Sequence, residues 1–189
     1  MERGLRKFYW GFFFIMLSFR IQGFDILPDF AGYILFAIGF NSLSEKSEHF
    51  KVAAKFNMPL VVISLFSIYQ WPLQTQNNNS ALIVGLSMIF SIILFALNLY
   101  VVFNLFMGIH DMMYQNGSGN SALAAEAEQK WNQYKILQIA AMGAILVALI
   151  PVINLIYIIA ILIASLVVLV KIMGFLKKCE QDLVLEQAK

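Results

Sequence analysis

Ala81–Met107 reads ALIVGLSMIFSIILFALNLYVVFNLFM, 27 residues without a charged side chain. As a helix it would be about 40 Å long, more than the ~30 Å hydrocarbon core of a bilayer requires. A second charge-free run, Ile136–Val170, is longer still, and Pro151 and Asn154 divide it into two pieces of ordinary crossing length. We read a tight hairpin there. The competing reading is one kinked helix, because membrane helices tolerate Pro, and it would put the C-terminus on the opposite face.

Working outward, the other apolar tracts give an all-α fold, a polytopic transmembrane helix bundle of about six membrane segments. They fall at about 8–22, 28–43, 58–71, 81–107, 135–150 and 155–171. The whole chain, 1–189, reads as one membrane domain, with cytoplasmic linkers at about 44–57 and 108–134 and a cytoplasmic tail at 172–189. The first two segments are short and fit a re-entrant hairpin as well as two crossings. Residues 44–57 mix charges with Phe50, Val52 and Phe56, as a surface helix or an extension of the next span would, and 122–133 reads as a helix in water with Glu126, Glu128 and Lys130 exposed. Composition agrees. The chain is 60% apolar and 13% charged with a mean hydropathy of +0.76, whereas soluble domains carry about 25% charge.

Orientation follows from the basic residues. With the N-terminus inside, the cytoplasmic pieces hold Arg3, Arg6, Lys7, Lys46, Lys51, Lys55, Lys130, Lys135, Lys171, Lys177, Lys178 and Lys189, twelve of the thirteen. Lys and Arg collect on the cytoplasmic flanks of membrane spans, so both termini are expected inside. Tyr9, Trp10, Trp131 and Tyr134 are expected at the inner interface, and Tyr69 and Trp71 at the outer. A basic N-terminus followed by Phe8–Phe19 resembles a secretory signal, but no small-x-small cleavage site follows and Arg20 interrupts where one would lie.

Three sets of polar residues carry the functional readings. Arg20, Asp25 and Asp29 flank a Gly/Pro break between the first two segments. They read as an ion cluster fixing a hairpin, with Arg20 snorkelling from a helix end and Asp29 at a helix N-terminus. The alternative is a charged site at a broken helix, as in transporters. Ser87, Ser91 and Asn98 share one face of the fourth segment, because eleven residues make nearly three turns. They read as packing hydrogen bonds between helices or as a substrate path. Asn104, Gly108 and Asp111 share another face, read as a solvated helix exit, with His110 as a structural residue or proton carrier. Ala140, Ala144 and Ala148, and Ala160 and Ala164, lie at packing intervals.

No metal, cofactor or catalytic set is expected. Phosphate loops, H-E-x-x-H and G-x-S-x-G are missing from the sequence, and no span holds a His to activate a serine. Cys179 beside Lys177 and Lys178 reads as a juxtamembrane residue, with a reactive thiol as the alternative. A net charge of +2 in short flanks gives no basis for a nucleic-acid partner.

Gly23-Phe24-Asp25-Ile26-Leu27-Pro28-Asp29-Phe30-Ala31-Gly32-Tyr33-Ile34-Leu35 resembles the early segment of small, uncharacterised multi-pass membrane proteins of Gram-positive bacteria, in which an L-P-D-F-x-G-Y stretch follows a basic N-terminus and a first apolar helix. The resemblance implies a bacterial plasma-membrane location and attaches no activity, ligand or catalytic residue. The expected function is therefore that of a non-enzymatic structural, regulatory or sensory membrane component, partnered by the lipid bilayer and by another membrane protein or a second copy. The alternative is a small transporter or channel subunit using the Arg20/Asp25/Asp29 break.

Overall fold

The computed structural model describes residues 2–17, 20, 21, 24, 25, 29–66, 80–115, 121–147 and 150–187. These form an all-α protein. The helices are α1 (Glu2–Met16), α2 (Asp29–Leu43), α3 (Glu48–Phe66), α4 (Ser80–Gln115), α5 (Ser121–Met142), the single turn α6 (Ala144–Val147) and α7 (Pro151–Gln187). The extended structure is one antiparallel pairing of Arg20 with Asp25 and Ile21 with Phe24 between α1 and α2. Tyr69 and Trp71 lie outside the described residues.

The six longer helices close a ring in the order α1, α2, α3, α4, α5, α7, and α7 packs back on α1. Core residues come from the N-terminal parts of α1, α3 and α5 and the C-terminal parts of α2, α4 and α7. That alternation is an up-and-down bundle, and it gathers the core at one end. Each helix contributes at helical spacing, such as Leu5, Phe8 and Phe12 on α1, or Ile172, Phe175, Leu176, Cys179 and Leu183 on α7.

Phenylalanine fills that end. Phe8 lies 4.9 Å from Phe40 and 6.0 Å from Phe50, and Phe12 lies 5.0 Å from Phe36 and 5.7 Å from Phe106, ring centre to ring centre. Most of these rings meet tilted or edge-on, the arrangement favoured by the aromatic quadrupole. Glycine lets α1 approach α2. A Cβ on Gly32 would stand 2.9 Å from the Gly11 carbonyl oxygen, and one on Gly39 would stand 3.1 Å from that of Gly4. The seven-residue spacing within each pair, Gly4/Gly11 and Gly32/Gly39, puts both contacts on one seam of the hairpin.

The other end is bare. Leu86, Leu146 and Val152 are 67%, 82% and 71% exposed, and the same face continues through Ile89, Ile93, Ile156, Ile159 and Ile163. Among the described residues, two helices are long and apolar enough to cross a membrane, over Gly85–Tyr114 and Pro151–Leu185, with only 11% and 6% of their most apolar windows buried. At 1.5 Å per residue, α4 and α7 run about 54 and 55 Å, beyond a bilayer core, while α1 and α2 reach only about 22 Å.

Several expectations need correction. The first helix begins at Glu2 and ends at Met16, so Arg20 stands in the extended pairing and not at a helix end. Of the two readings of 44–57, the extension of the next segment is the one found from Glu48 on, because α3 starts at Glu48 and continues past Pro59 to Phe66. Ser47 Oγ accepts a hydrogen bond from the His49 amide at 3.2 Å, capping that start. Residues 108–115 are the end of α4 and 121–134 lie in α5, in keeping with the helix expected over 122–133, while the loop expected at 116–120 lies outside the described residues. Residues 172–187, read as a cytoplasmic tail, are the packed end of α7. Lys130 and Tyr134 are buried, because α5 turns that face toward α4 and α7. The hairpin expected at Pro151–Asn154 is not a turn there: those residues form the first turn of α7, which begins at Pro151, where a missing amide hydrogen and a fixed φ cost least.

Candidate functional site

Where the bare end meets the phenylalanine core, α2, α3 and α4 enclose a cavity of about 290 Å³ lined by Asp29, Tyr33, Leu60, Ile63, Ser64, Leu94, Phe95 and Asn98. Asp29 opens α2, and Tyr33 follows one turn later on the same face. A carboxylate at a helix N-terminus is favoured by the helix dipole. Ser64 lines the cavity, and its Oγ donates to the Val61 carbonyl at 2.9 Å.

Asn98 joins this cavity to the core. Its Oδ1 accepts from Tyr33 Oη at 3.3 Å, and its Nδ2 donates to Tyr134 Oη at 2.9 Å. The amide bridges the two phenols, each of which can donate or accept. Asn57 on α3, fully buried, donates through Nδ2 to the Tyr33 backbone carbonyl at 2.8 Å. Its Oδ1 finds no hydrogen-bond partner among the described residues. An orphaned buried acceptor costs about 1–3 kcal/mol, which a donor supplied from outside the chain would recover. One relay of Tyr33, Asn98 and Tyr134, with Asn57 behind it, thus touches α2, α3, α4 and α5.

Below the cavity the bundle axis is closed. Phe36 and Phe40, one and two turns past Tyr33, stack with Phe8, Phe12, Phe50 and Phe106, all of them essentially inaccessible. The polar chemistry stops at Tyr134, whose ring packs against Phe12 at 6.1 Å.

The expected Ser87/Ser91/Asn98 stripe divides. Ser87 and Ser91 line a separate, mostly apolar cavity of about 360 Å³ with Met88, Ile92, Phe95 and Met142, and Ser91 Oγ donates to the Ser87 carbonyl at 2.8 Å. Phe95 stands between the two cavities and lines both. Of the Arg20/Asp25/Asp29 cluster, Asp29 reaches the cavity and Arg20 and Asp25 are backbone partners in the extended pairing.

A second polar set lies at the far, charged end. Ser47 Oγ donates to Asp111 Oδ2 at 2.7 Å, tying the start of α3 to α4. Asn104 Nδ2 donates to the Tyr100 carbonyl at 2.8 Å, so its Oδ1 must accept from His49 Nδ1 at 2.8 Å, which fixes the His49 tautomer. His49 Nε2 then faces Asp111 at 3.9 Å, and His110 lies between Asp111 at 3.5 Å and Glu128 at 3.6 Å. Asn104 is buried and Gly108 receives Phe50, so this face of α4 is an interhelical contact instead of a solvated exit. Among the described residues no group of three or more His, Cys, Asp or Glu has the geometry to hold a metal ion.

Cys179 is fully buried, and burial beside Glu126 and Asp182 pushes its thiol up, which removes the reactive-thiol reading. Glu126 pairs with Lys130 at 3.1 Å and Lys178 at 3.3 Å. Burial opposes its charge, but the two ammonium groups outweigh that and hold the carboxyl below its usual range.

Asn57, Ser64 and Tyr134 are functional candidates that the pattern of residues along the chain does not expose. Asn98 and Asp29 carried a signal, as polar groups in or beside apolar runs. Comparison with family models, curated proteins and solved structures gives no match.

Proposed function

We propose that the chain is a multi-pass protein of a bacterial plasma membrane, a six-segment bundle with both termini inside, acting as a non-enzymatic sensory component. The observation that carries this reading is a carboxylate-lined cavity seated on a closed aromatic core. A ligand entering from the bare end would meet the Asp29 carboxylate, the Tyr33 and Asn98 polar groups and the Ser64 hydroxyl. That donor set suits a small cation able to donate hydrogen bonds. Binding there would pull on Asn98 and so on Tyr134, passing a local contact to α5 without letting the ligand through.

A transporter subunit is the second reading, and the same cavity motivates it. Passage needs the phenylalanine stack to open, whereas sensing needs it closed. Reconstituted protein separates the two when one probe is used in both assays. With ethylammonium, a thermal shift that Asp29→Asn abolishes, together with background flux across the vesicle wall, is the expected result. Flux above background that Asp29→Asn removes would establish transport in its place.

A further inference from the structure

The charged end of the bundle holds two adjoining cavities that the sensory reading does not use, one at the α1/α7 seam and one beside it on α1. One, about 280 Å³, is lined by Arg6, Tyr9, Trp10, Lys177 and Glu180, and the other, about 340 Å³, by Arg3, Arg6, Lys7 and Trp10. Arg6 and Trp10 belong to both. Together they gather four cations against the single carboxylate of Glu180.

Three lysines elsewhere at this end of the bundle are paired. Lys51 pairs with Glu48, and Lys130 and Lys178 pair with Glu126. Arg3, Arg6, Lys7 and Lys177 form no ion pair among the described residues. Like charges held around one cleft repel unless an anion enters.

The surroundings say what kind of anion. Trp10 is 45% exposed, and Tyr9, Trp10 and Phe13 form a chain of edge-on rings, 5.5 and 5.6 Å apart, leading from the cations toward the apolar end. On α7, Val170, Gly174 and Lys177 share one face at i, i+4 and i+7. A Cβ on Gly174 would meet nothing within 4 Å, so a notch opens one turn from Lys177, and Val170 beyond it is exposed. Cations, then an amphipathic aromatic, then bare hydrocarbon, is the polarity profile of a lipid from headgroup to acyl chain.

We propose that this seam is a binding site for an anionic phospholipid, its phosphate held by Arg6 and Lys177 with Arg3 and Lys7 alongside, and its chains lying on Trp10, Phe13 and the Val170/Gly174 face. The site rests on the membrane reading above and is independent of the Asp29 cavity. An Arg guanidinium can grip two phosphate oxygens at once, and Lys adds a point charge.

The test is lipid retention measured by native mass spectrometry and thermal shift, on the full chain in nanodiscs and mild detergent, with phosphatidylglycerol, phosphatidylcholine and soluble glycerol phosphate as probes. Preferential retention of phosphatidylglycerol is expected, weakened about fivefold by Arg6→Gln or Lys177→Gln at roughly one charge's worth of membrane attraction each. Lys51→Gln, which removes a paired cation on α3, should leave retention unchanged. Equal retention of both lipids, or retention indifferent to Arg6→Gln and Lys177→Gln in folded protein, would overturn the site while leaving stable nanodisc insertion as evidence for the membrane reading. Competition by glycerol phosphate as strong as by the lipid would overturn the headgroup assignment in favour of a soluble phosphate. Failure to enter nanodiscs of either lipid would sink the membrane reading itself.

Discussion

Asn98 is the side chain on which the interior polar contacts converge. Its amide bonds a phenol on α2 and another on α5, so truncation removes a partner from each. Asn98→Ala should cost about 1–3 kcal/mol in detergent unfolding, because buried polar groups lose their partners. Tyr134→Phe should cost less, and the double variant should show a coupling of about 0.5–3 kcal/mol if the hydrogen bond is real. Glu126 sets a second residue-level expectation. Its carboxyl lies below its ordinary value of 4.5 in the folded state, so its stabilisation is complete above that pH and is lost as pH falls through the lower folded value. Acid unfolding below pH 4.5 should therefore be less steep in Glu126→Gln than in the wild type. At neutral pH Glu126→Gln should be destabilised by up to roughly 3 kcal/mol, since Lys130 is buried and loses its nearest counter-charge, and Glu126→Gln with Lys130→Met should recover part of the loss.

At the level of elements, the α1/α2 hairpin depends on backbone contact. Gly11→Val or Gly32→Val would force helices apart that now meet carbonyl to Cα, at a cost of about 1–3 kcal/mol or more, whereas Gly85→Ala, on an open face, should be neutral or slightly stabilising. Disulfide trapping between cysteines placed on α1 and α2 would report whether the hairpin loosens as stability falls. Apolar runs made most helices legible from the sequence, and the break at Pro151 was legible because Pro opens a helix cheaply. Helix continuity was legible in part: 44–57 read as a surface helix or an extension of the next segment, and 122–133 as a helix, but the charges at Lys51, Lys55, Lys130, Lys135 and Lys177 do not tell how those helices pack. A helix of about 54 Å is longer than a bilayer core requires, and the stretches beyond its apolar run are the parts that build the core.

The site was half legible for a related reason. Asn98 and Asp29 stood out because polar atoms among apolar neighbours are costly unless partnered. Ser87 and Ser91 stood out equally, yet Phe95 turns them into a different cavity. Tyr134 read as an interfacial aromatic because its position next to Lys135 suits one. Its partner on α4 is 36 residues away, a pairing no local pattern contains.

Taken as a whole, the molecule is polarised along its axis. One end is a ring of six helices closed on phenylalanine and flanked by cations, and the other exposes isoleucine, leucine and valine on α4 and α7. Exposed apolar area on that scale is stable only against hydrocarbon or a partner of similar character. Purified without detergent or lipid, the protein should aggregate through that face, and carbonate washing of cell membranes should leave it in the pellet.

Sidedness is most directly tested in a Cys179→Ala background with single cysteines at Thr75 and Ser118, probed in intact cells by a membrane-impermeant maleimide. A six-segment bundle with both ends inside predicts that Thr75→Cys is labelled without permeabilisation and that Ser118→Cys is labelled only after it. Labelling of both or of neither in intact cells, or recovery of the protein as a monodisperse particle free of detergent, would contradict it.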